Sequence, residues 1–415
     1  MSKIKVKIFL ISLAVLILGQ GFFVLGQELE ADPYLMKLIR QEKFRVILPQ
    51  VMRENKVDMW IYVKRGDDPL SFELGSDSGI FIFTDRGGKR IERAVLGGRG
   101  DRDLYDLFAS EDDLPQFVAE RDPKRIAVNY SKERPKLNII SEEDFHKLVH
   151  ALGEKYAQRV VPADRLIVDF LAGRTMCEIA LFGELSIISA KAIEKEFDKI
   201  VPGVTKLSDL KGNVFVRDPD GNEHNNDDYV IQRGDLIGLL LDAHMLDFSE
   251  HNGGIAYVLR EGETHLPPEV QKIWEHALTL RNIFRKNIKA GLTGGEILKT
   301  LIQKIEEAGY VYIDKDIYDR NADPLKTQVH IDFHAMGRII SQEDAPRISP
   351  LGPDWCRSFK IPLYHTFTLE YMIHMPVPEW GKGKHLYICV HDGVIVTERG
   401  VEFPYPPLQK IRAIR

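Results

Sequence analysis

The sequence predicts an α+β protein built in two parts, a smaller α/β domain over residues 27–168 and a larger domain over residues 169–415. Three observations predict it. The chain has 415 residues, more than one compact core usually serves. Its first third alternates short apolar runs with helical periodicity. The rest reads as helix, strands, helices and strands in turn, not as a regular parallel alternation.

Ahead of both parts, Lys3, Lys5 and Lys7 form a positive n-region, residues 8–18 are largely apolar, and Val24-Leu25-Gly26 suits cleavage before Gln27. Residues 1–26 are expected to be a signal peptide, and the mature protein periplasmic or secreted without stable membrane association. The other reading is an uncleaved anchor counted through Leu25, but Gly19-Gln20-Gly21 interrupts the run and no positive cluster follows it.

In residues 34–55 the apolar side chains Leu35, Leu38, Ile39, Phe44, Ile47 and Leu48 recur at helical spacing, which predicts an amphipathic helix. Strands are expected at residues 59–63, 79–83, 94–96 and 125–128, each bounded by turn formers or charges, and a helix at 142–158. Residues 176–197 predict a long helix opening the larger domain. Residues 236–241 are an apolar run ending on Asp242, the pattern of a buried strand that delivers a carboxylate. A helix follows over 269–289, and Thr293 with Glu296 forms a capping-box pattern opening another through Glu307. Strands return at 366–373, 386–390 and 394–397.

Charge and cysteine usage exclude some classes. Lys and Arg total 56 against 62 Asp and Glu, which argues against a nucleic-acid binder. Cys177, Cys356 and Cys389 are too few for a disulfide framework or a thiolate zinc cluster. Eleven of the 13 histidines follow residue 220, so metal or acid–base chemistry is expected there.

The chemistry concentrates at a few places. His330 and His334 stand four residues apart, a spacing that shares one face on a helix and on a strand alike. Glu370 lies inside an apolar strand, where an unpaired charge costs several kcal/mol, so it is either ion-paired or a metal ligand. Asp242 invites the same argument. Two such carboxylates with a histidine make a nitrogen–oxygen site for zinc, manganese, cobalt or iron.

These pieces carry a resemblance. His224 in Gly221-Asn222-Glu223-His224, Gly234-Asp235-Leu236-Ile237 before Asp242, Ala290-Gly291-Leu292-Thr293-Gly294, His330 through Gly337, Thr368-Leu369-Glu370 and Val394-Ile395-Val396-Thr397 stand in the order found in the pita-bread metallopeptidase family. That family includes aminopeptidase P, prolidase, methionine aminopeptidase and creatinase, and residues 27–168 resemble the N-terminal domain of several members. The resemblance implies metal ligation by Asp242, His334 and Glu370, and substrate contacts by His224 and His330. It also implies a peptide N-terminus as substrate and a homodimer.

The sequence departs from the family pattern at two metal positions. The family's second aspartate and last glutamate bridge two metals, and no such carboxylates stand here. Counting back from Ala256-Tyr257-Val258-Leu259 puts His251 at the first position, with Glu250 one residue away, and His391 occupies the second. A one-residue shift turns a strand side chain to the other face, so Glu250 and His251 cannot both point inward. A carboxylate bridges two cations and a neutral imidazole serves one. Asp242, His251, His334, Glu370 and His391 are therefore expected to hold one divalent ion, or none. The resulting expectation is a secreted Xaa-Pro aminopeptidase-like metallohydrolase in which His224, His330 and Glu370 act on the substrate. The alternatives are a creatinase-like, metal-independent C–N hydrolase and a catalytically inactive peptide-binding protein.

Overall fold

A computed structural model describes residues 33–66, 68–76, 78–88, 90–130, 140–339 and 345–415; the signal-peptide expectation lies outside them. Among the described residues no helix is long and apolar enough to cross a membrane.

The chain opens with α1 (Pro33–Glu42), one π-helical stretch (Lys43–Ile47) and α2 (Leu48–Glu54), which together fill the expected helix. At the π-helical stretch Lys43 turns inward, donating to the carbonyls of Phe170 at 3.0 Å and Gly173 at 2.5 Å and pairing with Glu178 at 3.2 Å. The smaller part continues as β1 (Met59–Arg65), β2 (Ser78–Asp85), β3 (Ile91–Leu96), β4 (Leu107–Ala109), α3 (Leu114–Arg121), β5 (Ile126–Val128), α4 (Glu142–Ala157) and β6 (Val160–Pro162). Its sheet runs β4-β3-β2-β1-β5-β6, with β2 antiparallel to both neighbours and β5 parallel to its own. Alternation decides what each face buries. Met59, Ile61 and Val63 meet α3 and α4, while Trp60 and Tyr62 join a core that runs into the larger part as far as Phe284 and Tyr371. A buried Arg338–Glu73 pair at 3.0 Å also links the two parts.

α5 (Asp164–Ala172) leads to α6 (Met176–Phe197), whose Thr175–Glu178 capping box fixes its start. The larger part then forms β7 (Asn213–Arg217), β8 (Glu223–His224), β9 (Leu236–Met245), β10 (Phe248–Val258), α7 (Pro268–Asn287), α8 (Gly294–Glu307), β11 (Val311–Tyr312), β12 (Gln328–Ile331), β13 (Phe333–Ala335) and β14 (Arg347–Ile348). A short α9 (Asp354–Ser358), β15 (Thr366–Pro376), β16 (His385–Val396), β17 (Val401–Glu402) and β18 (Arg412–Ile414) complete it. One sheet runs β18-β10-β9-β7-β8. A second is built around β15, flanked by β12 and β13 on one side and β16 on the other. α6 packs on the outer face of the first sheet through Ile193 and Phe197, and α7 on the second through Phe284, whose ring lies 4.9 Å from that of Phe333.

Several strands run beyond their expected bounds, β3 from Ile91 and β15 to Pro376 among them, and two of the differences have a clear cause. β9 continues past Asp242 to Met245, because the hairpin turn falls at Leu246 and Asp247, both at φ 55°. The expected strands 386–390 and 394–397 are one strand, with Gly393 paired to Thr368 in mid-ladder. Gly393 is there for space: a Cβ would stand 2.5 Å from Glu250 Oε1. Gly253 likewise lets β10 lie beside β16, since a Cβ there would meet the His391 Cβ at 3.0 Å.

Candidate metal centre

The centre is assembled by register. β15 and β16 pair Glu370 with His391, Met372 with Cys389 and Thr368 with Gly393, and β13 pairs His334 with Thr368. Residues opposite each other in an antiparallel ladder share a face, so Glu370, His391, Cys389 and His334 all project to the same side. On the neighbouring sheet β9 and β10 pair Asp242 with His251. His251 therefore shares the face of Asp242, and Glu250 projects to the opposite face.

The side chains meet accordingly. Glu370 Oε2 lies 3.4 Å from His334 Nε2, and Glu370 Oε1 lies 3.3 Å from His391 Nε2. His251 Nδ1 is 3.0 Å from Asp242 Oδ1, and its ring is 5.6 Å from that of His334 and 5.1 Å from that of His391. All five ligand candidates form one connected cluster. Burial would push the Glu370 carboxyl up, but hydrogen bonds and charge from His334 and His391 outweigh it and hold the group well below the usual carboxylate range. Burial pushes His391 down, against the hydrogen bond and charge of Glu370, which favour its protonated form. The hydrogen bond from His251 lowers Asp242.

Behind this face the alternate residues do structural work. Asp392 forms a buried bidentate pair with Arg281, at 2.8 and 3.0 Å, and so points away from the centre as strand parity requires. Glu250 is fully buried against α6, where Ser189 Oγ donates to its Oε2 at 2.5 Å while Oε1 has no hydrogen-bond partner among the described residues. Burial pushes that carboxyl up to about 7.

The other candidates sit around the cluster. His330 shares the inner face, paired with Met372, and its Nδ1 donates to the Ile313 carbonyl at 3.0 Å. His224 is held by Asp218 at 2.9 Å and stacked on Tyr229 with ring centroids 4.0 Å apart, so its contacts are not with the cluster. His374 has the parity of Glu370 but bonds Asp316, at 2.8 Å, and Tyr387 donates to the same carboxylate at 2.7 Å.

One residue was missed. Cys389 Sγ lies 3.9 Å from Glu370 Oε1 and 3.8 Å from His391 Nδ1, and the ligand atoms of Glu370, Cys389 and His391 all fall within 4.8 Å of one another. Its position two residues before His391 on a strand was the available signal, since that spacing shares a face. Burial and the neighbouring Glu370 charge push its thiol well up.

The donor set fits a divalent cation. Among the described residues His251 Nε2 and His334 Nδ1 are buried with no hydrogen-bond partner, a costly state that a cation relieves for a nitrogen turned toward it. Imidazole, carboxylate and thiol side by side are the ligand types of zinc and its first-row neighbours.

The sequence matches no protein-family model and no curated protein. Solved structures do match. The X-Pro aminopeptidase from Thermotoga maritima is 17% identical with a TM-score of 0.57, covering 88% of this chain and 100% of its own. The Xaa-Pro dipeptidase from Bacillus anthracis is 16% identical with a TM-score of 0.56, covering 90% and 100%. The prolidase from Pyrococcus horikoshii is 15% identical with a TM-score of 0.52, covering 89% and 99%. At these identities the likeness is one of fold, and it spans both parts of the molecule: this chain has the pita-bread fold of the X-Pro aminopeptidases and prolidases, an α+β domain preceded by a smaller α/β domain.

Proposed function

We propose that the protein is an exported hydrolase that removes the N-terminal residue of peptides, with proline favoured second, using one divalent cation at the centre around Glu370. The observation that carries this reading is the convergence of Glu370, His334 and His391 beside the Asp242–His251 pair, in a fold shared with X-Pro peptidases. Asp242, His251, His334, Glu370 and His391 hold the cation, and manganese, zinc, cobalt and iron are the candidates. When bound it supplies Lewis-acid activation of water and of the scissile carbonyl.

The chain's own residues do the rest. Glu370 is ionised between two imidazoles; it takes the proton of the attacking water and, because its proton affinity is low, passes it on to the leaving amine. His330, with Nδ1–H committed to the Ile313 carbonyl, presents Nε2 as an acceptor when neutral, which suits a substrate N–H group. His224, fixed by Asp218 and Tyr229, meets the substrate from the neighbouring sheet. The mature chain starts at Gln27 and pairs as a homodimer.

The test is release of the N-terminal residue from Xaa-Pro peptides by the purified chain, loaded in turn with each of the four metals. Release that a chelator abolishes and one of the metals restores supports the reading. Activity that survives chelation supports a creatinase-like, metal-independent hydrolase instead, and no release with any metal leaves only a peptide-binding role.

A further inference from the structure

We propose that Cys389 is a ligand of the cation, so that the centre is a thiolate, imidazole and carboxylate site that favours zinc or cobalt over manganese. The proposal rests on reading this pocket as a cation site and not on peptide cleavage.

The first argument is spacing. Glu370 Oε1 and His391 Nε2 are 3.3 Å apart, and Cys389 Sγ is 3.9 Å from each. Zinc bonds of about 2.0–2.1 Å to nitrogen or oxygen and about 2.3 Å to sulfur, at tetrahedral angles, put ligand atoms roughly 3.3–3.6 Å apart. The three atoms thus already outline nearly one face of a tetrahedral site, whose fourth position in the zinc or cobalt form falls to one of the other candidate ligands, and small rotamer adjustments close the difference.

The second argument is charge. With His251 and His391 where bridging carboxylates are expected, Glu370 is the only carboxylate among the three clustered ligands. A thiolate supplies a second negative charge within the triad, which then balances one divalent ion without drawing on Asp242 of the neighbouring sheet. It also supplies the softness that separates zinc and cobalt from manganese, which prefers oxygen.

A packing role is the competing account, since Cys389 also touches the small apolar group of Met372, Tyr387 and Phe215. Strand parity puts Sγ on this face under either account, and what a ligand role adds is the close convergence of Sγ with Glu370 Oε1 and His391 Nε2.

Cobalt distinguishes them, because a thiolate bound to cobalt(II) gives an intense near-ultraviolet charge-transfer band that nitrogen and oxygen ligands do not. The full chain loaded with one equivalent of cobalt should show the band. Cys389→Ser should lose it while keeping the visible cobalt bands, and Cys177→Ser/Cys356→Ser should retain it. Zinc affinity should fall at least about 10-fold in Cys389→Ser, with manganese affinity little changed. Cobalt bound to the wild-type chain without the band overturns the thiolate proposal and leaves the cation site standing; failure to bind cobalt at all overturns both. The wild-type spectrum decides even if the variant fails to fold.

Discussion

Glu370 and Glu250 are both carboxylates on central strands of the larger domain, and they behave in opposite ways. Glu370, about a fifth exposed, has an imidazole nitrogen near each oxygen and is held well below the usual range. Glu250 is fully buried, is met by serine hydroxyls of α6 that do not offset its burial, and is pushed up to about 7. Burial opposes the charge in both cases, so what separates them is the partners that register supplies. The inner face of the sheets is arranged to keep a carboxylate ionised and available to a cation. The outer face, one residue from His251, lets its acid keep a proton well above the usual carboxylate range.

The comparison breaks most severely at Glu370. Glu370→Gln keeps the shape and removes the charge, taking away a cation ligand and the proposed proton acceptor together. Peptide cleavage should fall about 10⁴-fold or more, with metal content per chain dropping in parallel, as read by assay and elemental analysis. Retained metal with lost cleavage would separate the two roles; unchanged cleavage would remove Glu370 from the chemistry.

Asp392 sharpens the contrast, since it neighbours His391 in sequence but serves the other face. Asp392→Ala strands the Arg281 guanidinium in the interior, which should cost about 3–5 kcal/mol in a denaturant titration. Metal content should hold in whatever fraction remains folded. A drop in metal affinity as large as that of Glu370→Gln would mean that Asp392 shapes the centre as well.

Much of this was legible before the structure, and the reason is periodicity. The helix at residues 176–197 was bounded correctly from its apolar spacing, and the structure shows a Thr175–Glu178 capping box that fixes the same start. Strand parity said that His251 and Glu250 must part, and they do; the same parity turns Asp392 away from His391. What parity cannot supply is partnership across the chain. That His374 would bond Asp316 from a distant loop, or that Glu250 would end against Ser189 of a helix 61 residues earlier, depends on how layers pack. Gly393 misled because glycine signals a turn and a tight fit alike; only the packed carboxylate of Glu250 shows which is meant. Cys389 was set aside because cysteines were counted as possible clusters, not as single ligands.

The gentlest perturbation tests the outer carboxylate. In the unfolded chain Glu250 loses its proton near its ordinary value of 4.5, and in the folded chain at about 7. Between these pH values the folded state holds the proton and the unfolded state does not, so stability falls as pH rises through the window and levels off above it. At about 1.4 kcal/mol per pH unit the loss amounts to about 3 kcal/mol. Glu250→Gln cannot ionise and keeps an oxygen to accept from Ser189 Oγ. Measured on metal-free protein by urea unfolding, the variant should therefore match the wild type near pH 4.5 and exceed it by about 2–3 kcal/mol at pH 8. A difference that stays constant across that range would mean that Glu250 is not buried as a neutral acid, and the contrast with Glu370 would then rest on hydrogen bonding alone.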